Sequence, residues 1–164
     1  MAAYGTKEAF VQYATDHGYV IPEGATDAQI AAAMLRGSLV IDGYEAKFSG
    51  GRSGGYSQSR VWPRTGAVAY YGQAIPPDAI PQPIIDASYE ASFLELVTPG
   101  SLSPVVTGTS IAKREKVGEL EVEYAVSSRS STADMVAAAT PVVTIIEGLL
   151  WQFLRQYIPG ILAV

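Results

Sequence analysis

The chain has 164 residues, 48% of them hydrophobic and 16% charged, which is enough apolar material for one packed domain and too much for a chain disordered throughout. Its net charge of -5 argues against sequence-independent binding of DNA, RNA or anionic lipid over the whole surface and confines any nucleic-acid site to a local patch. With no cysteine there is no disulfide framework, no thiolate nucleophile and no cysteine zinc site.

The first residues, MAAYGTKEAF, lack the basic start and apolar run of a secretory signal, so synthesis and use in a cytoplasm are expected. Thr6 is placed to cap a first helix that runs to about His17, where Gly18 supplies the stop. His17 is the sole histidine, and no carboxylate partners stand near it in sequence; it reads as a helix C-terminal residue rather than a base or ligand. Pro22 and Gly24 mark a loop. Thr26 with Gln29 then forms a capping box for a second helix, whose seam is Ile30, Met34, Gly37, Ile41, Tyr44 and Phe48. Gly37 and Gly43 imply close helix packing or a bend near residue 43.

Residues 49–60, SGGRSGGYSQSR, read as a flexible loop carrying Arg52 and Arg60. Trp62-Pro63-Arg64-Thr65-Gly66, the Tyr70-Tyr71-Gly72 turn and a proline-punctuated connection follow. Trp62 is expected to anchor the loop to the core rather than stack on a base, and Arg64 to pair with a carboxylate rather than face DNA. Pro81 and Pro83 suit the start of a third helix, with Ile84, Ile85, Ala87, Ala91, Leu94 and Leu96 as its buried faces to about Val97. On that helix Asp86, Glu90 and Glu95 are expected to form a solvated face.

After a loop at 98–110, the stretch from Ile111 to Val126 joins a basic knot, Lys113, Arg114 and Lys116, to an alternating strand. From Glu119 the strand sets Glu119, Glu121 and Glu123 on one face and Leu120, Val122, Tyr124 and Val126 on the other. Such a strand needs a neighbour, and another copy of the chain is an expected source. The knot reads either as a solvated turn balanced by Glu115 and Glu119 or as a contact for an acidic protein surface, with DNA the lesser alternative. A third loop, 127–134, leads to an apolar C-terminal segment. Glu147, Gln152, Arg155 and Gln156 interrupt it and Pro159-Gly160 ends a helix near Tyr157, so it reads as a buried or partner-facing helix and not a membrane span. Its apolar positions include Val143, Ile146, Leu150, Trp151, Phe153, Leu154, Tyr157 and Ile158. No P-loop, nucleophile elbow, dinucleotide fingerprint or zinc spacing occurs, and neither an enzyme activity, a metal nor a cofactor is expected.

These pieces describe a single domain over 1–164, mainly α, a small helical bundle with a β-hairpin or strand at about 111–126 and long loops, in which 141–164 docks on a partner subunit. The WPRTG run at 62–66, the Ile75-Pro76 and Ile80-Pro81 pair leading to Asp86-Ala87, and KREKVGELEVEY at 113–124 together resemble a tailed-phage protein family. Its members are commonly labelled head–tail connector or adaptor proteins and sometimes DnaT-like single-stranded-DNA-binding proteins. The resemblance implies a structural virion protein at the capsid vertex or neck that forms a ring of about twelve copies beneath the portal and touches a downstream neck or tail protein. Genome DNA would pass through the ring without sequence-specific contacts. On that reading Lys113, Arg114, Lys116, Leu120, Val122, Tyr124, Leu150, Trp151, Phe153, Leu154, Tyr157 and Ile158 meet neighbours. The alternative is a single-stranded-DNA-binding module in which Tyr56, Trp62, Tyr70 and Tyr71 stack bases while Arg52, Arg60 and Arg64 neutralise phosphates.

Overall fold

The computed structural model describes residues 2–103, 114–117, 120–123 and 143–155. Backbone proximity divides the chain into two compact units, Met1–Pro99 with Val143–Val164, and Gly100–Val142. The described residues form a small, mainly helical bundle of four α-helices with a short β-hairpin and long loops: α1 (Lys7–Asp16), α2 (Asp27–Asp42), α3 (Gln82–Val97) and α4 (Thr144–Leu150).

Local chemistry sets the helix ends in the first unit. The Thr6 hydroxyl accepts from the Ala9 N–H at the start of α1, and Gly18, at φ 73°, takes the chain out of it. Thr26 and Gln29 close a reciprocal capping box on α2. Pro81 stands at the N-cap of α3, where a missing N–H costs nothing. The bend at residue 43 is real: α2 stops at Asp42, a 3-10 turn spans Glu45–Lys47, and Phe48 of the seam is buried beyond it.

Small residues bring α2 and α3 together. Ala33, Gly37 and Ser38 meet a line of Ala87, Ser88, Ala91 and Ser92, and all but Gly37 are at most 1% exposed, with Gly37 itself buried. Ser38 Oγ donates to the Met34 carbonyl, accepts the Tyr4 N–H and lies 3.1 Å from Ser88 Oγ, so the polar atoms in this seam are paired. Phe10, Ile30, Met34 and Tyr89 form the core on one side. On the other, the Trp62 ring is met edge-on by Phe48 and Phe153.

Two of the carboxylates expected in water are inside. Glu90 is 3% exposed and accepts hydroxyls from Tyr13 (2.7 Å) and Tyr19 (3.0 Å); Glu95 is 1% exposed and takes the Arg36 Nε–H at 2.8 Å. The helical spacing of Asp86, Glu90 and Glu95 did not distinguish solvent from a buried tyrosine or arginine donor across the bundle. Burial, then donation to Glu90, pushes the Tyr13 phenol up, and burial followed by donation to Asp42 does the same to Tyr4. A tyrosine whose folded pKa lies above its unfolded value contributes stability that is complete below about pH 10 and is lost as the pH rises beyond it. The urea midpoint should therefore fall between pH 8 and 11, and a Tyr13→Phe variant should show a shallower fall.

In the second unit, β3 (Arg114–Val117) pairs antiparallel with β4 (Leu120–Glu123). The basic segment of the same chain is thus one neighbour of the strand, in the hairpin expected at about 111–126. Its register sets Arg114 opposite Glu123 and Lys116 opposite Glu121, so positions of opposite charge face each other across the hairpin.

Candidate nucleic-acid interface

Strands β1 (Gly51–Arg52) and β2 (Arg64–Thr65) pair antiparallel and close the 49–66 excursion into a hairpin, so the loop expected at 49–60 returns on itself. Gly50, at φ 68°, sits so close to the returning chain that a Cβ there would lie 2.7 Å from the Ala67 nitrogen. The three arginines proposed to face DNA hold this hairpin together. Arg52 forks onto Glu45 at 2.8 and 2.7 Å and donates to the Gln58 carbonyl. Arg60, 6% exposed, reaches Asp42 Oδ2 at 2.7 Å and the Ala2 carbonyl at 2.6 Å. Arg64, 3% exposed, donates to the Ser49, Gly50 and Val61 carbonyls, and burial pulls its pKa below the usual arginine value. Its partners are carbonyls, not the carboxylate expected. None of the three presents an unengaged fork to solvent, because a guanidinium's five donors can close a turn as readily as bind a phosphate. Trp62 is buried, as its sequence context implied.

The exposed aromatics gather elsewhere. Ala69 and Gln73 close a tight turn, supported by a bridge between Val68 and Ala74, and Tyr70 and Tyr71 stand at its tip. Their rings meet edge-on at 4.9 Å, and Tyr70 lies 5.0 Å from Trp151. Exposures of 49% for Tyr70, 85% for Tyr71 and 43% for Trp151 leave each of the three residues partly open to solvent. Tyr56 is fully exposed on the 3-10 turn Gly55–Ser57 and makes no ring contact with another described residue.

Trp151 arrives there because the C-terminal helix is shorter than the apolar periodicity implied. α4 ends at Leu150, a 3-10 turn covers Trp151–Phe153, and the chain continues extended, Leu154 bridging Phe48 and the Arg155 N–H donating to the Lys47 carbonyl at 2.6 Å. Ile146, Leu150 and Phe153 are buried in this unit's own core, Leu154 is half-buried, and Trp151 turns outward. Among the described residues no helix is long and apolar enough to cross a membrane. Lys47 and Arg155, joined by that backbone bond, are both exposed and form no ion pair with another described residue; the Lys47 ammonium lies 4.9 Å from the Tyr44 ring centre. Sequence reasoning missed both cations, since neither belongs to a cluster and their proximity depends on the returning C-terminal segment.

Of the remaining positions expected to meet partners, Arg114 and Lys116 lie on β3, Leu120 and Val122 on β4, and Lys113, Tyr124, Tyr157 and Ile158 fall outside the described residues. His17 caps the end of α1 with its ring stacked on Tyr13 at 3.9 Å. Among the described residues no group of three or more His, Cys, Asp or Glu could hold a metal ion.

The described residues thus form a small, mainly helical module with three exposed, mutually contacting rings, Tyr70, Tyr71 and Trp151. Residues 1–160 match the family described as "Putative DnaT-like ssDNA binding protein", and the chain belongs to that family. No curated protein and no solved structure matches it. The family corrects the expectation of a tailed-phage head–tail connector: the motifs at 62–66, 75–87 and 113–124 lie in a DnaT-like chain, so the structural virion role is replaced. The portal ring, its neck partners and the capsid-vertex location were implications of the connector resemblance alone.

Proposed function

We propose that the protein is a non-catalytic single-stranded-DNA-binding module that stacks bases on Tyr70, Tyr71 and Trp151, with Lys47 and Arg155 taking flanking phosphates. The carrying observation is the continuous contact of three solvent-exposed rings, Tyr71 to Tyr70 to Trp151, on a unit whose other large aromatics are mostly internal. Every base offers a π face, so such a surface holds single strands without reading sequence, and a duplex, whose bases are already stacked, offers little to it. Family membership supports a nucleic acid over a protein as the occupant of these rings.

The chain's acidity makes stacking, not phosphate neutralisation, the main source of affinity. Two phosphate contacts on a single strand give a slope of log K against log salt of about -1.4, so raising salt fourfold should weaken binding only about sevenfold. Replacing Trp151 by alanine removes one stacked base, about 1–3 kcal/mol, or roughly 5- to 150-fold in affinity. Fluorescence anisotropy of a labelled oligothymidine across a salt series checks both numbers. Binding that is unchanged in Trp151→Ala and in Tyr70→Ala, or equally tight for duplex, removes the reading.

A further inference from the structure

We infer that residues 143–155 are a docking strap that builds the stacking surface as it attaches, with Phe153 as its positioning residue; the inference rests on the reading of that surface as the single-strand site. The surface is a composite. Tyr70 and Tyr71 come from the turn before α3, whereas Trp151 and Arg155 come from the segment that returns after residues 100–142.

The strap has little structure of its own to contribute. α4 has seven residues and no side-chain hydrogen bond at its N-cap, and a helix that short does not persist in water without tertiary contacts. Its position comes from burial of Ile146, Leu150 and Phe153 and from three backbone attachments: Gln152 O accepts the Tyr70 N–H at 2.7 Å, Leu154 bridges Phe48, and the Arg155 N–H reaches the Lys47 carbonyl. Phe153 packs its ring against the edge of buried Trp62 at 6.0 Å. It shares a three-residue turn with Trp151, so the same turn that sends Phe153 inward sends Trp151 out beside Tyr70. When the strap lifts, Tyr70 keeps Tyr71 but loses the Trp151 ring and the acceptor of its N–H. A strand lying across Tyr70 and Trp151 therefore binds only the docked form, and by linkage it stabilises docking as much as docking favours binding.

The test is amide hydrogen exchange of the full chain with and without a short oligothymidine, whose binding is measured separately. At an oligonucleotide concentration about 100 times its Kd, the hydrogen-bonded amides among residues 147–155 should exchange about 100-fold more slowly, while the early-exchanging amides of α1 keep their rates. In Phe153→Ala, apparent affinity should fall about tenfold or more, because fewer molecules carry a docked strap, although Phe153 is too buried to touch the ligand. An oligothymidine that binds without slowing the strap overturns the inference and leaves the single-strand reading intact. Absence of binding to the native chain overturns both. Should Phe153→Ala fail to fold, exchange of the native chain still decides.

Discussion

An Asp42→Ala variant is expected to lose about 3–5 kcal/mol of folding stability, because it strands a charge inside the protein. The Asp42 carboxylate takes the Arg60 Nη1–H at 2.7 Å, the Tyr4 hydroxyl at 2.6 Å and the Val61 N–H at 3.1 Å, and the Arg60 and Asp42 side chains are only 7% and 14% exposed. Without it a phenol and a backbone donor lose their acceptor, and the buried guanidinium loses its counter-charge and keeps only the Ala2 carbonyl. Replacing Arg60 alone leaves the carboxylate two of its three donors, so Arg60→Met should cost less than Asp42→Ala. Chemical denaturation of both variants checks the order. The same pair separates stability from binding: when assayed below its unfolding transition, Arg60→Met should hold oligothymidine with affinity within about twofold of the parent, since a phosphate contact contributes only where the charge faces solvent.

The second large effect is at the helix crossing. A Cβ on Gly37 would lie 2.5 Å from the Ser92 backbone nitrogen and 2.8 Å from the Ser88 carbonyl oxygen, and neither atom belongs to a side chain that can swing away. Gly37→Ala gains about 1 kcal/mol of helix propensity but must push α3 outward against a packed seam, for a net loss of about 1–3 kcal/mol; Gly37→Val should lose more. Thermal melts of the two variants read this directly. A Gly37→Ala chain as stable as the parent would mean that α2 and α3 do not approach this closely. Gly43→Ala, at the end of α2, is the control: a Cβ there would meet only carbonyl oxygens of its own helix, that of Val40 at 3.1 Å and that of Leu39 at 3.8 Å.

Much of the helical frame could be read in one dimension. Thr6, Gly18, the Thr26–Gln29 box and Pro81 act on backbone groups within a few residues, and each falls at the observed end of its helix. Of the seam, Ile30, Met34, Gly37, Ile41 and Phe48 are buried, whereas Tyr44, beyond the end of α2, is half-buried. The hairpin at 114–123 also follows from local alternation, although the basic knot had been read as a turn and not as the partner strand. The apolar run at 143–157 misled, because nothing in its periodicity marks the change at Leu150 from helix to a 3-10 turn and extended chain; that change is imposed by backbone bonds to Lys47 and Tyr70.

The candidate site divides along the same line. Short-range chemistry established the capped helices and the tight Tyr70-Tyr71 turn, because caps and turns are decided by neighbours in the chain. Tertiary structure decided which cations and rings reach solvent. Arg52, Arg60 and Arg64 look alike in sequence to Lys47 and Arg155, yet the first three are spent on Glu45, Asp42 and backbone carbonyls of the hairpin, and the last two are not. Charge carries no label for its partner: what a guanidinium meets depends on which segment folds against it, here Asp42, Glu45 and the carbonyls of the hairpin, just as the returning strap decides that Trp151 meets Tyr70.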